Sequence, residues 1–252
     1  MSVKLATSAE GRPIEAYVHT APARPTIMVC AGIHGDEPKS VHVARKLIEL
    51  LDAGAEIVHE SGSGWIVLPI VNPDGYVRRR RRNANAVDIN RNFPTRNWTL
   101  APRRSRMFGG TTPASEPETR AILDSIACYR PSTIVSIHSI DGNRECNNYD
   151  GPARAIAAAM HGHNGYPVAG SIGYPTPGSL GTWAGRERRI PVITLELPSR
   201  HSAKRCWEDN RQGFICLGAG IAPRRRSRCR TTPRREKLRS EPTCLRSGCR
   251  LL

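Results

Sequence analysis

No stretch of the 252-residue chain approaches the roughly 18 uncharged apolar residues that a membrane-spanning helix needs. The opening MSVKLATSAEGRPIEAYV also lacks the apolar core of a secretory leader. These two absences predict a soluble, cytoplasmic protein with no membrane partner. Aromatic residues are scarce, at 5%, and Lys is scarcer still, with five against 33 Arg. None of the eight Cys falls in a CxxC pair and five lie after residue 200, which favours reduced thiols over a disulfide framework. The 22 Gly, 20 Pro and 38% hydrophobic content exclude a fibrous repeat and global disorder, leaving a globular chain with room for one catalytic-size domain.

What is abundant is positive charge: 38 Lys+Arg against 22 Asp+Glu, a formal +16. More than half of the excess lies in residues 222–252, where ten Arg and one Lys face two Glu. That segment has no apolar period, so the sequence predicts a domain over residues 1–221 and a basic, Cys-containing, disordered tail over 222–252. Within the body, TIMVCAG (residues 26–32), GWIVLP, STIVSIHS and RIPVITLELP read as buried strands. A helical period follows Pro38. A second helix is expected in SEPETRAILDSIACY, with Ser115 as N-cap, Pro117 in the first turn and Glu118 closing a capping box. Strands alternating with helices predict an α/β sheet, whose ligands gather beyond the carboxyl ends of the strands.

Three of those strand ends carry chemistry. His34 and Glu37 follow the first strand at a spacing that can turn an imidazole and a carboxylate toward one point, and His138 ends the third. Two His and one carboxylate form the set of an open catalytic zinc site; a polar loop and a structural His give the same pattern. Glu196 stands in the apolar run ITLELP, where it is either a general base or a solvent-facing residue of an alternating strand. The five consecutive Arg from Arg78 to Arg82 read as a solvated basic loop or a nucleic-acid contact. Asn90 and Arg91 just beyond suit a substrate carboxylate or a phosphate equally well.

Taken in order, AGIHGDEP, NPDGY, VDINRNFP, SEPET, SIHS, TPGSLGTW and ITLELP, spread over residues 31–198, resemble the zinc carboxypeptidase family. The resemblance implies a mixed, roughly eight-stranded twisted sheet with helices on both faces and one Zn2+ per chain. It implies that His34, Glu37 and His138 hold the metal, the donor set zinc takes in carboxypeptidase A, and that Glu196 is the general base. Arg81, placed by its RxN spacing with Asn83, matches the Arg that polarises the scissile carbonyl. Asn90 and Arg91 match the pair that holds the terminal carboxylate, and Tyr174 the Tyr that caps the substrate. Ala86 stands where the family carries Gly before its VDxNRNF run, a restriction if that turn has positive φ.

The implied activity is hydrolysis of an amide next to a free carboxylate in a small peptide. The favoured bond joins γ-D-glutamate to diaminopimelate in a murein peptide during peptidoglycan recycling, with an ordinary C-terminal residue as the other option. Two rivals remain at this level. One is an N-acyl amino acid deacylase of the succinylglutamate desuccinylase kind, against which SEPET and the full NRNF weigh. The other is a basic nucleic-acid-binding protein, using the Arg run and the tail, with a vestigial zinc site.

Overall fold

The four apolar runs become the centre of a single sheet. A computed structural model describes residues 1–19, 26–54 and 63–220; the tail expected over 222–252 lies outside the described residues. The strands are β1 (Ser2–Thr7), β2 (Pro13–His19), β3 (Thr26–Cys30), β4 (Gly64–Leu68), β5 (Thr133–Ile140), β6 (Cys146–Asp150), β7 (Val168–Ala169) and β8 (Val192–Pro198). Their spatial order is β1-β2-β4-β3-β5-β8-β6-β7. The block β4-β3-β5-β8 is parallel and buried on both faces, which explains its continuous apolar sequence. Strands β1 and β2 pair antiparallel at one edge, and β6 runs antiparallel to β8 on the other side. The sheet is therefore mixed and eight-stranded, as the resemblance implied.

The described α-helices are α1 (Pro38–Asp52), α2 (Pro73–Arg78), α3 (Pro117–Tyr129), α4 (Arg154–Asn164) and α5 (Ala203–Gly218). Helix α1 starts with Pro38 in its first turn and buries Val41, Ala44, Leu47, Ile48 and Leu51 at helical spacing. One core joins α1, α4 and α5 to a sheet face through Val43, Leu47, Ile156, Met160 and Phe214. A second core fills the opposite face with Ile89, Phe93, Phe108, Ile122 and Trp183, bringing in α3 and the coil before it. Because β3, β5 and β8 are parallel, their carboxyl ends open on one edge between these two layers.

Past β4, the NPDGY motif opens the short helix α2 at Asn72, whose Oδ1 accepts from the Gly75 amide at 2.8 Å, with Pro73 next. One local expectation needs correction. Helix α3 has Glu116, not Ser115, at its N-cap, and no side chain caps it. The reason is competition from other partners. The Asn83 amide donates to the carboxylates of both Glu116 (2.7 Å) and Glu118 (3.1 Å), while the Ser115 hydroxyl donates to Glu116 Oε1 and accepts from Asn92.

Ala86 does adopt positive φ, +62°, in the turn between Asn83 and Val87. Asn83 Oδ1 accepts from the amides of Asn85 and Val87, so the turn is held although its conformation costs an L-residue about 1 kcal/mol. Ala86→Gly is expected to stabilise the protein by about 1 kcal/mol, raising the melting temperature by about 2–4 °C. Thermal melts of both proteins check this; an unchanged or lowered midpoint would show that the turn is unstrained.

Candidate active site

Beyond the end of β3 the chain turns sharply over the sheet edge. At Gly35 a side chain would collide with the backbone of Gly75, its Cβ falling 2.0 Å from the carbonyl carbon, so the 31–37 segment lies flush on α2. This brings His34 and Glu37 over the end of β3, beside His138 on β5. The three are buried, and one donor atom from each lies within 4.8 Å of the others. His34 Nδ1 is 2.7 Å from Glu37 Oε1, and His138 Nδ1 is 3.1 Å from both His34 Nδ1 and Glu37 Oε2.

Two imidazole nitrogens at 3.1 Å facing one carboxylate make an arrangement that a divalent cation would relieve, and two nitrogens with one oxygen suit zinc. The far side of each ring is also engaged. His34 Nε2 lies 3.1 Å from Asp88 Oδ1 and His138 Nε2 3.0 Å from Ser136 Oγ, while the Ser139 amide donates to Glu37 Oε2. Such contacts fix ring orientation and leave both Nδ1 atoms turned into the cluster, where a metal ion could be held.

The electrostatics follow from burial and pairing. Burial alone would lower the His34 pKa, but Glu37 and Asp88 outweigh it and raise it to about 9. Burial would raise Glu37 and Asp88. The two imidazoles hold Glu37 well below the usual carboxylate range, and His34 with Arg81 does the same for Asp88. Without metal, a doubly protonated His34 thus bridges two carboxylates. Glu196 pairs in register with His138 on the adjacent strand and is 7% exposed. Its pKa is raised by burial, opposed by His138 and reinforced by Glu37.

The arginine run resolves residue by residue. Arg78 pairs with Glu10, and Arg82 donates to the carbonyls of Arg103 and Ser105. Arg81 turns inward, its Nε donating to Asp88 Oδ2 at 3.1 Å and its Nη1 lying 3.6 Å from Glu37 Oε1. Next to it, Asn90 Oδ1 accepts from the Leu180 amide at 3.0 Å. Arg91 is 4% exposed, with Nη1 donating to the Asn90 carbonyl and a buried Nε that has no partner among the described residues.

Tyr174 is 45% exposed on the wall of the same cavity. All eight residues singled out in the sequence line this one space of about 800 Å³. Sequence reasoning gave no role to Asp88 or Ser136. Asp88 had a signal, an acid flanked by the apolar Val87 and Ile89; Ser136 had only its place two residues before His138, on the same strand face.

A cluster of this kind with a buried carboxylate beside it is the equipment of a metal-dependent hydrolase. A profile of the zinc carboxypeptidase family matches residues 1–144, and the chain belongs to that family of hydrolytic enzymes. It is 32% identical over 202 residues to murein peptide amidase A of Vibrio campbellii, covering 75% of this chain and 76% of that one. It is also 32% identical to murein peptide amidase A of Escherichia coli K12, over 75% and 77%. The crystal structure of murein-tripeptide amidase from Escherichia coli O157 superposes with a TM-score of 0.69 at 27% identity, over 86% and 91%. Carboxypeptidase A of Helicoverpa armigera, at 23% identity and a TM-score of 0.70 over 88% and 69%, shares the fold. Among the described residues no helix is long and apolar enough to cross a membrane.

The raised His34 pKa sets a pH signature for the metal-free protein. Stability from this group is full below the unfolded-state value near ~6.5 and is lost as pH rises through about 9. Melting temperatures of the chelator-treated protein are therefore expected to fall between pH 6.5 and 9, and zinc is expected to abolish that fall. A flat metal-free profile in this window would contradict the bridged His34.

Proposed function

We propose that the protein is a zinc-dependent murein peptide amidase, working in the cytoplasm on wall-derived peptides. It hydrolyses the amide between γ-D-glutamate and diaminopimelate beside the latter's free carboxylate. The observation that carries this reading is the meeting of two groups in one cavity: the His34, Glu37 and His138 cluster, and the paired Asn90 and Arg91. The named relatives at 32% identity support the substrate.

Bound zinc supplies Lewis acidity and lowers the pKa of water toward ~7. The chain's residues supply the rest. Arg91, whose Nε has no partner among the described residues, and Asn90, whose Oδ1 is held by the Leu180 amide so that Nδ2 is the end it offers, grip the terminal carboxylate. That grip fixes which amide stands at the reacting centre. Arg81 keeps its Nε on Asp88 and offers its terminal nitrogens to the carbonyl oxygen as negative charge grows there, an effect typically worth about 3 kcal/mol per donor. Glu196, its proton affinity raised by burial, accepts a proton from the attacking water on a carboxylate oxygen and returns it to the departing amine. Tyr174, on the exposed wall, closes over the bound peptide.

Zinc-loaded protein incubated with the murein tripeptide is expected to release free diaminopimelate. Glu196→Gln is expected to lower kcat by about 10²- to 10⁴-fold with zinc content unchanged. Intact tripeptide alongside trimming of ordinary C-terminal residues would overturn the substrate, and full activity of the Gln variant would overturn the base.

A further inference from the structure

The lining of the cavity also carries a second set of polar groups with no part in the chemistry above. Strand β6 runs antiparallel to β8, with Cys146 paired to Glu196 and Asn148 to Thr194. Alternation along β6 puts Asn148 and Asp150 on one face, and both line the cavity with Thr194 and Glu196. Asn148 is 5% exposed, and its Oδ1 is buried without a partner among the described residues. Asp150 is also buried, with Oδ1 taking the Nε of Arg186 at 2.5 Å. Its Oδ2 faces the bare Cα of Gly181, where a Cβ would lie 2.2 Å away. Arg186 leaves the π-helical turn Gly181–Arg186 with half of its side chain exposed.

We propose that Asn148, Asp150 and Arg186 recognise a side chain that ends in one carbon bearing both an ammonium and a carboxylate. This rests on the amidase reading, because that side chain belongs to the residue being released. The chemistry is complementary group by group. Asp150 and the unsatisfied Asn148 Oδ1 are acceptors for an ammonium, and the terminal nitrogens of Arg186 are donors for a carboxylate. The ion pair holds the two charges side by side, as adjacent opposite charges on one carbon require. A ligand with only an ammonium leaves the terminal nitrogens of Arg186 unmatched, and one with only a carboxylate leaves the buried Asn148 Oδ1 without a donor. A neutral aliphatic chain strips water from a buried carboxylate and returns nothing.

The test pairs binding with turnover. Calorimetry on zinc-loaded protein compares free diaminopimelate with lysine, 2-aminoadipate and norleucine, and the murein tripeptide is assayed in parallel. Diaminopimelate is expected to bind about tenfold or more tighter than each of the others. Arg186→Gln is expected to erase its advantage over lysine, and Asp150→Asn its advantage over 2-aminoadipate. The Arg186 variant, altered at a half-exposed side chain, keeps the test decisive if the Asp150 variant does not fold. Equal binding of all four amino acids, or wild-type preferences in Arg186→Gln, would overturn the inference even where the tripeptide is cleaved. The expected preferences without cleavage would uphold it while removing the amidase reading.

Discussion

Charge held away from water must find a partner, and here the partners are one another. His34, Glu37, Asp88 and His138 are each less than a tenth exposed, and an unpaired ion in such a place costs several kcal/mol. They are tolerable together because each carboxylate faces an imidazole or a guanidinium within about hydrogen-bonding reach. The same arrangement leaves two imidazole nitrogens directed at each other, a contact that only a proton or a cation makes favourable. The cluster could thus hold a metal ion, and without one a proton on His34 takes that place.

Asp88 ties that cluster to other residues that line the cavity. Its Oδ1 meets His34 and the Asn90 amide, while Oδ2 holds Arg81. One carboxylate therefore sets the orientation of the His34 imidazole, the arginine of the cavity wall and the turn that delivers Asn90 and Arg91. The turn preceding it, with Asn83 gathering amides on one side and the carboxylates of Glu116 and Glu118 on the other, anchors this wall to α3. Burial raises Glu118 to about 7, against the pull of Asn83 and with help from Glu116.

Much of this was legible in the residues. The parallel strands are continuous apolar runs because both of their faces are covered, and the carboxyl-end rule located His34, Glu37, His138 and Glu196 without a structure. The β1–β2 hairpin went unread although its half-exposed alternation is visible in SVKLAT and PIEAYVH. Strand β6, CNNYD, was hidden for a physical reason: Asn148 and Asp150 face a polar cavity and Asn147 bonds to Asn164 and Tyr166 on the other face, so it lacks the apolar pattern by which strands are recognised. The cap of α3 was misplaced because Glu116 and Glu118 answer to Asn83 and Asn85, which lie more than thirty residues earlier. Local rules do not see such partners. Which arginine of the run turns inward depends likewise on Asp88, seven residues on from Arg81.

The most direct test of the metal-centred design is zinc-edge X-ray absorption on protein loaded to saturation. The structure predicts one zinc per chain with two imidazole nitrogens at about 2.0–2.1 Å and carboxylate oxygen in the first coordination sphere. Sulfur scattering at about 2.3 Å, or a single imidazole, would place the metal elsewhere and remove the basis for the site described above.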